Sequence, residues 1–500
     1  MNLPEPLYFA EQSRALDRIA IERHGIAGYT LMQRAGQAAF ELLRSRWPRA
    51  QRIAVVCGPG NNGGDGYVIA RLAREAGMEA MVLALGDRAR LQGDALQARE
   101  ALEASGVRVA PFGPERLADA DVIVDALFGT GLERTVRDTW REAIDTINTT
   151  AAVPVLAVDI PSGLHADSGR VLGMAVRAQA TITFIGLKAG LFTGHGRDYC
   201  GEIVFADLGV PAEIYAGVTL AARRITPGVL AELLPRRARS AHKGALGHVA
   251  VIGGDEGMPG AARLAGAAAY RAGAGLVTVL THPAHAAQIN SGCPELLVQA
   301  VSDARALRAA VQRADILAIG PGLGQGPWGR ELLAAALESS LPKVVDADAL
   351  NLLAAEPLKR DDWVLTPHPG EAARLLGITT AQVQDQRFDA LQALVQRLGG
   401  VCVLKGSGTL IGHSGEAQAW LCDAGNPGMA SGGMGDILTG VVAALMGQGL
   451  TAPDAARLGV WVHAVAGDDA ARQGGEIGLM ASDLMLFVRS RLNELSGDEG

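Results

Sequence analysis

The sequence predicts two α/β domains, each a mostly parallel sheet covered by helices, and three observations carry that expectation. The length of 500 residues exceeds what one hydrophobic core serves, so two large domains fit it best. Apolar residues make up 49% of the chain and charged residues 20%, but aromatics only 4%. Ala, Val, Leu and Gly must therefore fill the cores, as they do where helices stack on parallel sheets. Finally, the strand candidates are continuous rather than alternating apolar runs, the pattern of strands buried on both faces.

Taken in order, a helical spacing at Leu31, Ala35, Ala38 and Leu42 precedes a β-branched run at 52–57, and a second helix is expected at 67–76. Strands are expected at 80–85, 121–127, 153–160, 181–187 and 203–205, mostly separated by helix-length segments. The alternation lapses between about 217 and 244, in ITPGVLAELLPRRARSAHKG. This gives a first domain at 1–216, a linker at 217–241 and a second domain at 242–500. There the alternation restarts, with strands expected at 248–253, 276–280, 315–319, 343–345, 363–365 and 401–404 and alanine-rich helices between them. No fixed-period repeat suggests a solenoid.

Charge and hydropathy exclude several function classes. Forty-five Lys and Arg stand against 53 Asp and Glu, a balance of −8 with no run of five like charges, which argues against nucleic-acid binding. No 18-residue apolar stretch occurs, and Glu5, Glu11, Arg14 and Asp17 interrupt any signal-peptide core. A cytoplasmic protein without membrane association is expected. The five cysteines form no C-x-x-C pair and are expected to be reduced core thiols.

The motif Gly58-Pro-Gly60-Asn-Asn-Gly63 satisfies G-x-G-x-x-G between a strand and a helix, where a dinucleotide fingerprint belongs. Its continuation through Gly64, Asp65 and Gly66 fills the loop with amide and carboxylate oxygens. A carboxylate repels pyrophosphate, so the loop suits polar ring or ribose groups, or a cation. Asp125 and the pair Asp159 and Ser162 stand at later strand ends, and the carboxyl ends of parallel strands share one crevice. Asn62, Asp125, Asp159 and Ser162 can thus converge, and oxygen-only ligands suit a hard cation. His195 has no nameable partner and is expected in a loop.

In the second half, the glycines of Ser431-Gly-Gly-Met-Gly435-Asp436 precede a helix through 441–446, whose free amides would receive a phosphate or a developing anion. Asp436 then stands at the mouth of that anion hole, the place for a base that accepts a hydroxyl proton during phosphoryl transfer. The absence of G-x-x-x-x-G-K-[ST] excludes a Walker-type ATPase. Lys405-Gly-Ser-Gly-Thr409, Thr366-Pro-His368-Pro-Gly-Glu371 and Asp346-Ala-Asp348 follow other strands, and sites gather on that edge. Gly320-Pro-Gly322-Leu-Gly324 forms a turn that lets a substrate approach the backbone. His463, on an apolar helix, is expected to be a core histidine.

The motifs GPGNNGGDG, DALFGTGL, DIPSGL and FIGLKAGLFTG, in that order, make residues 10–215 resemble the NAD(P)H-hydrate epimerase family, a Rossmann-like three-layer sandwich. That resemblance implies a potassium ion held through Asn62, Asp125 and Ser162. It implies hydrate-binding groups at Asn61, Asn62, Gly63, Gly64 and Asp65, at Gly129, Thr130, Gly131, Leu132, Glu133, Arg134 and Thr135, and at Asp159. HKGALGHV, DADALN, TPHPGE, KGSGT and NPGMASGGMGD make residues 242–490 resemble the ADP-dependent NAD(P)H-hydrate dehydratase family, of the ribokinase-like fold. This second resemblance implies AMP or ADP at Lys405, Gly406, Ser407, Gly408, Thr409 and Gly435, and the hydrate against Ala261, Gly324, His368 and Asp436. Asp255, in VIGGDEGMPG, stands where a smaller residue is expected.

Both halves together resemble the bacterial bifunctional NAD(P)H-hydrate repair family. An isomerase fused to a lyase is implied, with K+ in the first domain, Mg2+ and ADP in the second, and the hydrates NADHX and NADPHX as substrates. Asp159 would shuttle a proton as the R and S epimers interconvert. Asp436 would act as base while ADP phosphorylates the S hydrate, releasing AMP and phosphate. A homo-oligomer is expected. The rivals are a ribokinase-like vitamin-precursor kinase that stops at a stable phosphoester, a Rossmann dehydrogenase using oxidised NAD, and a first half that senses cofactor without catalysis.

Overall fold

The computed structural model describes residues 3–150, 152–234 and 237–497. It divides into two compact units, Met1–Arg223 and Arg224–Gly500, the division falling inside the expected 217–241 segment. That segment is partly built into structure: Pro227–Leu230 forms a helical turn, and Ile225 and Leu230 are buried. Pro235 and Arg236 of the expected linker lie outside the described residues.

In the first unit seven parallel strands run in the spatial order Val109–Pro111, Glu79–Ala84, Arg52–Cys57, Val122–Ala126, Val155–Val158, Ala180–Phe184 and Glu202–Ala206. This is a doubly wound order, in which the chain reverses direction across the sheet between Arg52–Cys57 and Val122–Ala126. Alternate residues of Arg52–Cys57 face two separate cores. Ile53, Val55 and Cys57 join the cluster under helices Ala10–Glu22, Gly28–Arg46, Asn61–Glu75 and Gly93–Ala104, whereas Ala54 and Val56 pack with Ala143, Ile144 and Ile147 of helix Asp138–Thr149. The result is three layers with strands buried on both faces.

The second unit repeats the plan. Its neighbouring strands run Leu297–Ala300, Leu276–Thr281, His248–Ile252, Ile316–Ile319, Lys343–Val345, Trp363–Leu365 and Val401–Leu404, all parallel, then Thr409–His413 and Ala419–Cys422, antiparallel. Helix Met434–Gly447 lies in the core, with every residue from Ile437 to Met446 buried. Gly440 lets it close on helix Pro259–Arg271, since a Cβ there would fall 2.0 Å from the Ala265 carbonyl oxygen. Among the described residues no helix is long and apolar enough to cross a membrane.

The strands expected from apolar runs all form, with ends shifted by a few residues. The run at 181–187 is the main departure: the strand stops at Phe184, and Leu187–Lys188 is a separate short strand. Edge strands Val109–Pro111 and Leu297–Ala300 were not anticipated because an edge strand is short and half wet. The cysteines are free; Cys57, Cys200, Cys402 and Cys422 are buried, but Cys293 is only half-buried and is not a core thiol. It follows a glycine and precedes a proline, so no apolar strand draws it inward.

Candidate functional site

The first unit opens a cavity of about 780 Å³ at the point where its strand order reverses. From Asn61 onward the glycine motif is not a free loop, as expected from the sequence, but the first turns of helix Asn61–Glu75. Close approach requires its glycines: a Cβ on Gly63 would lie 2.0 Å from the Gly58 carbonyl oxygen. The tight packing turns Asn61, Asn62 and Asp65 to the cavity, which Gly129, Thr130, Gly131, Leu132, Glu133, Arg134 and Asp159 also line. Gly63, Gly64 and Thr135 pack beside it, Gly64 against Met32 and Thr135 against Gly173.

Asp125 stands next to last in strand Val122–Ala126 and is fully buried. Its Oδ1 accepts hydrogen bonds from the Ser162 hydroxyl at 2.7 Å and the Leu127 amide at 3.2 Å, and its Oδ2 accepts one from the Ser162 amide at 2.8 Å. Burial still pushes its pKa up to about 6. Asn62 is 8% exposed, and neither its amide oxygen nor its amide nitrogen has a hydrogen-bond partner. A buried side-chain amide without partners costs about 1–3 kcal/mol, so a ligand is called for at this spot.

Asp159 sits in the left-handed region at φ 68°, which only an over-determined residue sustains. Its amide donates to the Ile182 carbonyl at 2.7 Å, its Oδ2 accepts from the Thr130 amide at 3.2 Å, and its Oδ1 accepts from the Lys188 ammonium at 2.5 Å. Burial, and then the carboxylates of Asp159 and Asp17, hold Asp65 well above the usual carboxylate range. His195 is the expected loop residue, exposed and 3.3 Å from Asp198.

The second unit gathers its polar groups around the start of helix Met434–Gly447, whose N-cap Gly433 takes φ 92°. Asp436 lies in the first turn. Burial, and then the carboxylate of Asp346, push its pKa up to about 7, against the pull of Lys405. Asp346 accepts from the Lys405 ammonium at 2.8 Å and from the Thr439 hydroxyl at 2.8 Å. Burial would raise Asp346, but the ammonium outweighs it and the pKa is lowered. A Cβ on Gly435 would lie 3.1 Å from the Lys405 Nζ, so the glycine keeps the helix start against this pair.

His368 caps helix Pro369–Leu376, its Nδ1 accepting from the Gly370 amide at 2.9 Å. Burial, then Lys405, lowers its pKa, so the ring is neutral and carries its proton on Nε2. Glu371 accepts from the His368 amide at 2.8 Å, and burial lifts its pKa to about 7. Gly324 donates its amide to Asp348 at 3.0 Å. Asp255 closes down on the same glycine, where a Cβ would meet its carboxylate oxygen at 2.3 Å. Ala261 lies by Gly322, 3.3 Å from where a Cβ would stand. Under the segment Lys405–Thr409 the buried Arg387 donates to the carbonyls of Leu404 at 3.2 Å, Lys405 at 3.3 Å and Gly408 at 3.1 Å. His463, expected in the core, is only half-buried as a residue, although burial of its ring pushes its pKa down to about 4.

Both halves resemble known proteins. The NAD(P)H-hydrate dehydratase family profile matches residues 249–488, and that of the YjeF-related protein N-terminus matches residues 28–190. The bifunctional NAD(P)H-hydrate repair enzyme of Coxiella burnetii is 50% identical over 97% of this chain and 99% of its own. Its Escherichia coli counterpart is 44% identical over 99% of this chain and 95% of its own. The chain belongs to the bifunctional NAD(P)H-hydrate repair enzymes. A solved ribokinase-like protein from Enterococcus faecalis is similar at 27% identity and a TM-score of 0.50, covering 55% of this chain and 97% of its own. This repair enzyme thus joins an epimerase-type first unit to a dehydratase second unit.

Sequence reasoning passed over two residues that hold these candidate groups in place. Lys188 lies inside the quoted FIGLKAGLFTG, and its signal was a single lysine in an otherwise apolar run. Arg387 gave none, because an arginine on an amphipathic helix ordinarily faces water.

Proposed function

We propose that the first unit interconverts the R and S epimers of hydrated NADH and NADPH, and that the second dehydrates the S epimer with ADP. The observation that carries this reading is Asp436, a carboxylate titrating near neutrality in the first turn of a glycine-led helix. The substrate hydroxyl gives its proton to Asp436 while its oxygen attacks the terminal phosphorus of ADP, and AMP leaves. The ring nitrogen's lone pair then expels phosphate, and loss of a proton from the adjacent carbon restores the double bond. Phosphate leaves far more readily than hydroxide, which is the reason to spend a nucleotide.

Lys405, Gly406, Ser407, Gly408, Thr409 and Gly435 would hold ADP, and Ala261, Gly324, His368 and Asp436 the hydrate. The Arg387 guanidinium under the Lys405–Thr409 segment supports the first part, since it fixes the backbone on which a nucleotide would rest. Magnesium would come in with the phosphates and neutralise their charge, the usual mode for this ion.

In the first unit, Asn61, Asn62, Gly63, Gly64 and Asp65, the run from Gly129 to Thr135, and Asp159 would bind the hydrate. The buried, partnerless Asn62 amide and the buried Asp125–Ser162 pair fit a potassium ion that Asn62, Asp125 and Ser162 would hold, and which would supply positive charge to the crevice. Asp159 gives a proton to the departing hydroxyl, the ring nitrogen's lone pair assists, and Asp159 takes a proton back as water returns to the other face. The reading also takes the enzyme to be a cytoplasmic homo-oligomer, and its free thiols support a reducing compartment.

The test is incubation of both epimers with the protein, potassium, magnesium and either ADP or ATP, followed by dihydronicotinamide absorbance. Full recovery from both epimers supports the reading. A stable phosphoester, or no consumption of nucleotide, overturns it.

A further inference from the structure

Asp346 lies at the centre of the second unit's polar groups, yet it is closed to any ligand, being 1% exposed. Its Oδ1 accepts from the Lys405 ammonium at 2.8 Å and its Oδ2 from the Thr439 hydroxyl at 2.8 Å. One carboxylate thus ties the end of strand Val401–Leu404 to helix Met434–Gly447. Its own place is over-determined. Its amide donates to the Ile319 carbonyl at 3.0 Å, and a Cβ on Gly320 would lie 1.8 Å from its carbonyl oxygen. The next residue, Ala347, is held in the left-handed region at φ 49°, which a non-glycine residue keeps only where its surroundings impose it. Lys405 is less fully engaged. Its ammonium has three protons and, among the described residues, spends one of them, on Asp346. It stands 3.1 Å from where a Cβ on Gly435 would be, beside the first turn of helix Met434–Gly447, whose leading amides have no partner within the helix. An ammonium with two protons to give, next to such amides, is a receptor for the charge of a phosphoryl group.

We propose that Asp346 is a positioning residue for dehydration, which holds the Lys405 ammonium at the start of helix Met434–Gly447, where it meets the phosphoryl group in transit from ADP to the hydrate's hydroxyl. The inference rests on the dehydratase reading of this unit. In that step the hydroxyl oxygen bonds to the terminal phosphorus, the bond to the AMP oxygen breaks, and the hydroxyl proton passes to Asp436. Lys405 gives up no proton. It offsets negative charge on the moving phosphoryl, and that is effective only from a fixed place. A lysine side chain is a flexible stem, and the bond to Asp346 removes its freedom. The same carboxylate acts on the base. Besides burial, Asp436 answers to Asp346, which raises its pKa, to Lys405, which lowers it, and to Asp348, which raises it. His368 and Glu371 face Lys405 and Asp346 from the start of helix Pro369–Leu376, and His463 faces Lys405 from helix Ala452–Gly474. Without the charge of Asp346, Asp436 loses a like neighbour and Lys405 is left unneutralised beside it. Both changes favour the ionised form, so Asp436 gives up its proton at lower pH.

The experiment measures dehydration of the S hydrate with magnesium and ADP, from about pH 5 to 9, in wild type, Asp346→Asn, Lys405→Met and the double variant. In Asp346→Asn the plateau kcat should fall by about 10- to 100-fold, and the acid limb should move down by about half a pH unit or more. AMP lacks the transferred phosphoryl, so its affinity by calorimetry should stay within about threefold of wild type. Because Asp346 acts through Lys405, the double variant should keep the plateau kcat of Lys405→Met within about threefold. Three results would each overturn the proposal: a plateau at the wild-type level, a fall by the same factor at every pH with the limb unmoved, or a double variant about tenfold or more slower than Lys405→Met. Loss of AMP affinity in step with kcat would mean a collapsed nucleotide site and overturn it as well. Asp346→Asn leaves a buried ammonium without its partner. Should it not fold, the double variant, which buries neither charge, decides by the same comparison with Lys405→Met. If wild type restores no dihydronicotinamide from the S hydrate, the dehydratase reading fails rather than this inference.

Discussion

Replacing Asp436 by Asn should have two opposed effects, on rate and on stability, both set by the same buried carboxylate. The Asn side chain cannot accept the hydroxyl proton, so dehydration of the S hydrate should fall by about 10²- to 10⁴-fold. In wild type that rate should climb as pH rises through about 7, where Asp436 loses its proton, and level off above. The stability effect follows from the direction of the same displacement. A carboxyl whose pKa is raised by folding contributes stability that is complete below its unfolded pKa and is lost as pH rises through the folded one. Going from the ordinary 3.8 to about 7, at about 1.4 kcal/mol per pH unit, sets a ceiling of about 4 kcal/mol. Asp436 retains some solvent contact, so on the order of 1–2 kcal/mol is expected. Asn carries no charge to bury. Asp436→Asn should therefore melt a few degrees above wild type at pH 8 and level with it near pH 4. Thermal melts at the two pH values and stopped assays with magnesium and ADP give both quantities. Dehydration at near wild-type rate would refute the base assignment, and a variant less stable than wild type at pH 8 would refute the electrostatic account.

Asp159→Asn should leave the S hydrate repaired at the normal rate while the R hydrate accumulates, as seen by chromatography of the two epimers; equal disappearance of both would remove Asp159 from the chemistry. Exchanging potassium for tetramethylammonium should slow epimerisation, and Asp125→Ala should abolish that dependence along with most of the activity, while dehydration of the S hydrate persists. Identical epimerisation rates in the two salts would contradict a cation at Asn62, Asp125 and Ser162. Arg387→Met leaves the carbonyls of Leu404, Lys405 and Gly408 without their buried donor and should destabilise the second unit by about 2–4 kcal/mol, with a raised KM for ADP; denaturant unfolding checks the first and kinetics the second.

Much of this was legible in the sequence because it rests on short-range signals. Strand Arg52–Cys57 and its partners appear as apolar runs bounded by glycines, and parallel topology sends their ends to one edge, so Asn62, Asp125, Asp159 and Ser162 could be assigned together from positions a hundred residues apart. The start of helix Asn61–Glu75 was misplaced because glycines argue locally for a loop. Their reason is tertiary: Gly63 sits on the Gly58 carbonyl, and Gly66 faces Cys57 and Ala126. Arg387 escaped for the opposite cause, since only the fold reveals that the carbonyls it serves are brought beneath one helix. Lys188 was written inside a quoted motif but needed the left-handed Asp159 opposite it to acquire a meaning. Asp255, out of place by size alone, turns out to pair with a residue lacking a side chain, Gly324.

The central claim is that one chain performs two linked reactions, and the ratio of products tests it most directly. A mixture of R and S hydrates, incubated with the wild-type protein, potassium, magnesium and ADP, should yield one AMP and one phosphate for each dihydronicotinamide restored, until both epimers are exhausted. Recovery that stops when only the S hydrate is consumed, or dihydronicotinamide restored without AMP, would contradict it.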